Sequence, residues 1–304
     1  MTVAPSGEQI EIAAGDQRAT IVEVGGGIRR YLVGERPVLQ PYDVSAMCDA
    51  AHGTPLVPWP NRLADGRYSF GGREHQLALT EPGKRNAIHG LLRWRTWQVA
   101  AREPDRVVMA TRLYPMAGYP FTLDVEIDYT LNDGGLRVTT TAVNTGDSPC
   151  PYGSGQHPYL SPGTGMIDDC TLTIHAATRV VTDPERQLPM GREAVEGTPY
   201  DFRDGRKLGD AQLDDTFTDL RRDAAGLAWV WLEGADGRTA GLWADSGYPY
   251  LEIFTGDALA PGRRRRGLGV EPMTCAPNAF RSGEGLLRLD PGQRTRSSWG
   301  LVLS

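Results

Sequence analysis

Phe121-Thr122-Leu123-Asp124-Val125-Glu126-Ile127-Asp128-Tyr129-Thr130-Leu131 is the stretch that decides the fold class. Its odd-numbered residues are all apolar and its even-numbered ones all polar. Successive side chains of a strand point to opposite faces, so a period of two marks a half-buried antiparallel strand. Asn132-Asp133-Gly134-Gly135 then turns the chain into residues 136–144, which predicts a long hairpin. Working outward, residues 96–101 and 106–113 read as a preceding strand pair, and 67–70 with 74–79 as a hairpin closed by Gly71-Gly72. Residues 8–13, 20–24, 28–33, 170–175, 227–232, 240–244, 250–254 and 298–303 are also strand-like. No long helix-period stretch appears, so the expectation is an all-β protein.

Composition agrees with this and narrows the function. The chain has 304 residues, 40% of them hydrophobic, enough for a sizeable core. Its 37 Gly and 22 Pro suit many short strands joined by turns. The net charge of −6 argues against general nucleic-acid binding. Cys48, Cys150, Cys170 and Cys275 are widely spaced and form no CxxC, so they read as reduced structural thiols of a cytoplasmic protein. Residues 1–16 lack a basic region followed by an apolar run, so no signal peptide is expected. No apolar run approaches membrane-spanning length. Without an internal repeat or a linker-like stretch, residues 1–304 are expected to form a single domain.

Four stretches carry candidate chemistry. In Tyr152-Gly153-Ser154-Gly155-Gln156-His157-Pro158-Tyr159-Leu160, the glycines permit backbone angles closed to other residues, and Pro158 pushes His157 toward an extended conformation. A loop or strand end would thus hold an imidazole beside two tyrosines. Histidine exchanges protons most readily near neutral pH, although a loop histidine bonded to a carbonyl reads equally well. In Pro58-Trp59-Pro60-Asn61-Arg62, the prolines forbid a helix or central strand, leaving an amide and a guanidinium beside an aromatic wall or, more blandly, a solvated arginine. His89 precedes Gly90 and the tryptophans Trp94 and Trp97; a core or capping histidine is the default, a pocket histidine the sharper reading. In residues 269–280, read as a loop, Glu271 lies between Val270 and Pro272. A carboxylate in apolar company is either paired with a cation or has a raised pKa. The run from Arg263 to Arg266 reads as a solvated loop.

Taken together, Pro58-Trp59-Pro60-Asn61-Arg62 with Asp65-Gly66, Ile88-His89-Gly90, Gly155-Gln156-His157-Pro158-Tyr159-Leu160, Leu213-Asp214-Asp215-Thr216-Phe217 and Val270-Glu271-Pro272-Met273-Thr274 resemble the aldose 1-epimerase (galactose mutarotase-like) family. The five pieces occur in the family's order and span about residues 53 to 283. The resemblance implies a large antiparallel β-sandwich of the galactose mutarotase-like supersandwich type, with a sugar cleft on one sheet. It implies Glu271 as general base and His157 as general acid, with Arg62, His89 and Asp214 as ligands of sugar hydroxyls and Asn61 close by. Two positions depart from the pattern. Asp215 stands where relatives often have histidine, and Glu252 where some have a glutamine that contacts the sugar.

Interconverting the α and β anomers of a free hexose, such as glucose or galactose, requires ring opening at C1, rotation and closure. The C1 hydroxyl loses a proton while the ring oxygen gains one, so a base and an acid must flank the anomeric centre. That needs no metal and no organic cofactor. Arg62 and His89 could steady charge on the ring oxygen. Rival readings are a mutarotase for an anionic (sulfonated or phosphorylated) hexose, using Arg263–Arg266 or Arg85 and Arg93, a non-catalytic sugar-binding module, and a glycosidase using Glu271 and Asp214. A metal site from His89, His157 and Glu271 has no short-range ligand spacing behind it. The expected partner is a small-molecule sugar, and a homodimer is compatible with this reading.

Overall fold

The computed structural model describes residues 3–304. Strands hold 49% of the residues and helices 2%, as the period-two segments predict. Two large sheets dominate, and every strand pair within them is antiparallel. The nine-stranded sheet runs Gln98–Glu103, Arg106–Leu113, Leu123–Asn132, Gly135–Asn144, Arg294–Leu303, Thr239–Ala244, Ala228–Glu233, Thr171–Ile174, Arg206–Lys207. The C-terminal strand therefore lies mid-sheet, between the long hairpin and the tryptophan-bearing strands.

The deciding stretch behaves as its alternation demands. Phe121, Leu123, Val125, Ile127, Tyr129 and Leu131 are all buried in the main core, at 9% exposure or less. The hairpin pairs Leu123 with Asn144 through to Asn132 with Gly135 in unbroken register. Tyr129 is the one polar-tipped member, and its hydroxyl donates to the Gly26 carbonyl at 2.6 Å, so its burial leaves no orphan.

The eight-stranded sheet runs Pro189–Ala194, Ala176–Thr182, Asp214–Leu220, Tyr250–Phe254, Leu268–Met273, Gly155–Gln156, Pro55–Leu56, with Tyr159–Leu160 also paired to Leu268–Met273. Its inner face sends Phe217, Leu251, Ile253 and Val270 into the same core as the nine-stranded sheet. Gln156 reaches across to donate to Thr140 Oγ1 at 3.0 Å, which ties the sheets together. The other face of these strands carries the acids. Thr216 pairs with Glu252 and Glu252 with Glu271, one directly beside the next. Glu271, expected on a loop, is therefore a central-strand residue: the shared core covers one face and the cleft loops the other, so the strand lacks alternation, as every residue of Leu268–Met273 is buried.

Three further expectations change. Gly153 and Gly155 do not use left-handed angles. They are there for closeness: a Cβ on Gly153 would meet Cys275 Sγ at 2.4 Å, and one on Gly155 would meet Pro60 Cβ at 2.9 Å. The arginine run is not uniformly solvated, since Arg265 is buried and bound to Asp168 and Asp257, and Arg263 pairs with Asp49. Arg62 is likewise no solvated arginine; it is buried and opens the short strand Arg62–Ala64. All four cysteines are buried free thiols. Among the described residues no helix is long and apolar enough to cross a membrane.

Candidate active site

A cavity of about 300 Å³ opens over the acidic face of the eight-stranded sheet. Its lining brings together Asn61, Arg62, His89, His157, Asp214 and Glu271, which lie up to 210 positions apart in sequence. Glu252 is buried beneath, beside Glu271.

His157 bridges the short strands Gly155–Gln156 and Tyr159–Leu160. Its backbone is clamped from both sides: its N–H donates to the Thr54 carbonyl at 3.1 Å, and its own carbonyl accepts from Gly53 N–H at 2.8 Å. Its ring stacks on Tyr159 at 5.0 Å, and Tyr159 stacks on His52 at 4.4 Å. The imidazole thus has a fixed plane. Its Nε2 lies 3.0 Å from Glu271 Oε1, with the two side chains only 5% and 3% exposed. The outer atoms of this pair, His157 Nδ1 and Glu271 Oε2, have no partner although both are buried. Buried polar atoms are nearly always satisfied, so two orphans on one pair mark a place where a ligand completes the bonding.

Burial sets the protonation of the pair. It lowers His157 to about 3, with help from the charges of neighbouring His52, Arg93 and Arg62. Burial also raises Glu271 well above the usual carboxylate value, and the nearby Asp214 adds to that while Arg62 opposes it. Both shifts favour a net-neutral pair holding a single proton over a permanent ion pair. Glu252 is raised by burial, Asp214 and Glu271, and accepts a hydrogen bond from Thr216 Oγ1.

His89 sits at φ 62°, followed by Gly90 at φ 70°. A Cβ on Gly90 would lie 2.1 Å from the Val57 carbonyl oxygen, so this turn admits only glycine there. The turn lets His89 N–H donate to Asn61 O at 3.0 Å, while Asn61 N–H donates to His89 Nδ1 at 3.2 Å. An accepting Nδ1 leaves the neutral ring's proton on Nε2, a donor. Burial, His157, Arg93 and Arg62 all lower the His89 pKa, so the ring stays neutral. His89 and His157 meet edge to face at 5.3 Å. Arg62 is oriented by Glu81 at 3.1 Å and Asp214 at 3.4 Å. Asn61 Oδ1 accepts from the Arg62 N–H at 2.7 Å, so the amide shapes the loop.

Sequence reasoning did not single out Glu81, which orients Arg62, or Gln187, whose amide contacts Asp214. Neither stands in a motif; only the tertiary contacts identify them. Asp215 points away from the cleft and pairs with Arg179. His89, His157 and Glu271 offer donor atoms within 4.8 Å of one another, a set that a metal ion could draw together. The arrangement also provides all that proton transfer requires: a carboxyl and an imidazole in contact, two orphaned atoms, a fixed N–H donor and a guanidinium.

Comparison with known proteins identifies the family and the fold. The sequence model of the aldose 1-epimerase family matches residues 8–301. The chain is 34% identical to the uncharacterized protein YihR of Escherichia coli (strain K12), over 96% of this chain and 92% of that protein. It is 32% identical to the galactose mutarotase of Homo sapiens over 49% of this chain and 44% of that protein. A GalM/aldose epimerase homologue from C. elegans superposes with a TM-score of 0.86 at 20% identity, covering 98% of each chain, which shows a shared fold.

Proposed function

The chain belongs to the aldose 1-epimerase family, and from that premise we propose that it is a mutarotase, interconverting the α and β anomers of a free hexose at the His157–Glu271 pair. The observation that carries this reading is the 3.0 Å contact between two buried groups whose outer atoms, His157 Nδ1 and Glu271 Oε2, are unpartnered at the floor of a sugar-sized cleft.

The proton balance follows from that contact. Ring opening needs one vacancy for the C1 hydroxyl proton and one proton for the ring oxygen. A pair that holds a single proton has one of each. The shifts of both groups favour the proton on the carboxyl. A sugar whose C1 hydroxyl donates to Glu271 and whose ring oxygen accepts from His157 stabilises the alternative, a carboxylate beside an imidazolium. Glu271 then takes the hydroxyl proton, His157 delivers its own to the ring oxygen, and the C1–O bond opens to the aldehyde. Rotation about C1–C2 and the reverse transfers close the ring on the other face. Asp214 accepts from a hydroxyl, and Arg62 and His89 Nε2–H donate to sugar oxygens, with Asn61 fixing the His89 tautomer and Glu252 backing Glu271. Arg62 is held by Glu81, His89 by Asn61 and Asp214 by Gln187, so little reorganisation is needed during the reaction.

The test is polarimetry of freshly dissolved α-glucose and α-galactose. Wild-type protein should speed the approach to equilibrium, and Glu271→Gln should lose that effect. A Glu271→Gln protein that equilibrates anomers at the wild-type rate would overturn the assignment.

A further inference from the structure

Asp214 lines the cleft but is held from one side only. Its Oδ2 meets Arg62 Nη2 at 3.4 Å, a long contact, and accepts a hydrogen bond from the side-chain amide of Gln187. Among the described residues its Oδ1 accepts no hydrogen bond. One long ion pair leaves a carboxylate free to turn about its Cβ–Cγ bond, and a second donor fixes its plane. Gln187 supplies that donor from outside the cleft, half-buried in the turn between Ala176–Thr182 and Pro189–Ala194. Its amide oxygen accepts from Lys84 Nζ, which lies 3.6 Å from Glu81, the acid that orients Arg62. A closed ring results: Arg62, Glu81, Lys84, Gln187, Asp214 and back to Arg62. Gln187 is its one neutral member, set between an ammonium and a carboxylate. An ammonium only donates and a carboxylate only accepts, so charge fixes which way the amide points. A glutamate there would serve Lys84 alone and a lysine Asp214 alone, whereas an amide serves both.

The turn is assembled without that side chain. Asp183 Oδ1 accepts from Arg186 N–H at 2.6 Å and its Oδ2 from Leu188 N–H at 3.0 Å, while Gln187 N–H donates to the Asp183 carbonyl at 2.9 Å. Arg186 staples the turn to the neighbouring loop, with Nε on Lys84 O at 3.0 Å and Nη2 on Arg85 O at 2.9 Å and Asp65 Oδ1 at 3.0 Å. Asn86, with no exposure, completes the joint by donating to Arg186 O at 3.0 Å and Glu81 Oε2 at 2.9 Å. Gln187 itself stands at φ 55°, where any residue with a Cβ is strained and glycine is at ease. Capping and stapling ask for no glutamine at that angle. A strained residue whose side-chain bonds run to Lys84 and Asp214 points to the site rather than to folding.

We propose that Gln187 is a positioning residue: its amide N–H fixes the Asp214 carboxylate so that Oδ1 is presented to a hydroxyl of the sugar. This rests on the mutarotase reading and adds to it a residue outside the cleft lining that sets sugar affinity. Asp214 takes no part in the proton transfers at C1. A contact made equally in ground and transition states is felt in KM rather than in kcat, and so is the residue that aims it.

The experiment follows anomer exchange by NMR, using whichever of glucose and galactose wild type exchanges faster, and measures stability to denaturant beside it. The proteins are wild type, Gln187→Gly, Gln187→Glu, Asp214→Ala and the double variant Gln187→Gly/Asp214→Ala. Gln187→Gly relieves the backbone, so it should be about as stable as wild type, yet its KM should rise about three- to tenfold, the range of one net hydrogen bond. Gln187→Glu keeps an acceptor for Lys84, loses the donor and sets a second carboxylate against Asp214, so its KM should rise at least as far. In the Asp214→Ala background the glycine substitution should lower kcat/KM no further. A Gln187→Glu protein with wild-type KM, a Gln187→Gly effect that persists undiminished without Asp214, or a KM change that comes only with lost stability would each overturn the proposal. A Gln187→Gly protein that fails to fold would overturn it as well, because the turn would then depend on the side chain. Exchange of neither sugar by wild type would instead remove the mutarotase reading and this proposal with it.

Discussion

At the scale of single residues, the His157–Glu271 contact makes the sharpest claims. Groups acting in general acid–base roles contribute about a hundred- to ten-thousandfold each, so Glu271→Gln and His157→Asn should lower kcat within that range while sugar affinity survives. Because both handle protons of one step, the double variant should be little worse than the poorer single one in the same polarimetric assay. The pH profile follows from the directions of the shifts. The active pair holds one proton. Lowering the pH adds a second, which burial delays until His157 titrates at about 3. Raising the pH removes the last, and a raised Glu271 holds it above the usual carboxylate range. The acid limb of kcat/KM should therefore lie well below pH 6.5, and the alkaline limb should report the shared proton rather than a free histidine. An acid limb centred near 6.5 would mean that His157 is hydrated and the pair open. Glu252 has a different expectation. Burial and the nearby Asp214 and Glu271 raise its carboxyl well above the usual range, so Glu252→Gln mimics the protonated form that this shift favours and should retain kcat far better than Glu271→Gln.

At the scale of elements, the turn at His89–Gly90 and the strand Leu123–Asn132 respond to mutation in opposite ways. Gly90→Ala puts a Cβ 2.1 Å from the Val57 oxygen at a left-handed φ. The turn must open, at a cost of about 1–3 kcal/mol. Opening it breaks the Asn61–His89 contacts that fix the imidazole, so both stability to denaturant and turnover should fall. Ile127→Ala should cost about 2–5 kcal/mol through the cavity it leaves in a fully buried site. It lies in the distant sheet, so KM of the surviving folded protein should not move. Equal loss of KM and stability in both variants would mean that the cleft is not supported locally by its own turn.

At the scale of the whole molecule, we propose that residues 1–304 fold as one domain, because both large sheets share a core and Gln156 bonds across it. Fluorescence and circular dichroism should then give coincident denaturation curves. The pH dependence of that stability has a worked sign. His52, at about 4, and His157, at about 3, are lowered by burial, so unfolding takes up protons below pH 6.5 and stability is lost as pH falls from there. Glu252 and Glu271 are raised, so the folded protein holds protons that the unfolded chain has released above about 4.5. Their contribution is lost as pH rises through their folded values. Between about 4.5 and its raised folded value, Glu252 makes wild type lose stability with rising pH faster than Glu252→Gln, by up to about 1.4 kcal/mol per pH unit, the worth of one proton. Parallel slopes for the two proteins would mean that Glu252 is ionised in the fold.

What the sequence by itself determined is whatever depends on neighbours along the chain. The alternation from Phe121 to Leu131 predicts a half-buried strand, because a sheet has two faces and only one meets the core. The motifs around Asn61, Arg62, His89, His157, Asp214 and Glu271 marked residues that do meet in one cleft, since short segments carry the turns that present them. What only the tertiary structure decided depends on residues far apart. Glu271 reads as a loop glutamate because a strand covered on both faces has no alternation to betray it. The glycines at 153 and 155 look like turn formers, yet Cys275 and Pro60 are what exclude a side chain there. The bond between His157 and Glu271, the opposed shifts that leave them one proton, and the bond from Gln187 to Asp214 all follow from burial and proximity across the fold. Burial and proximity of that kind leave no period in a linear sequence, because they arise only when loops and sheet close over one another and exclude water.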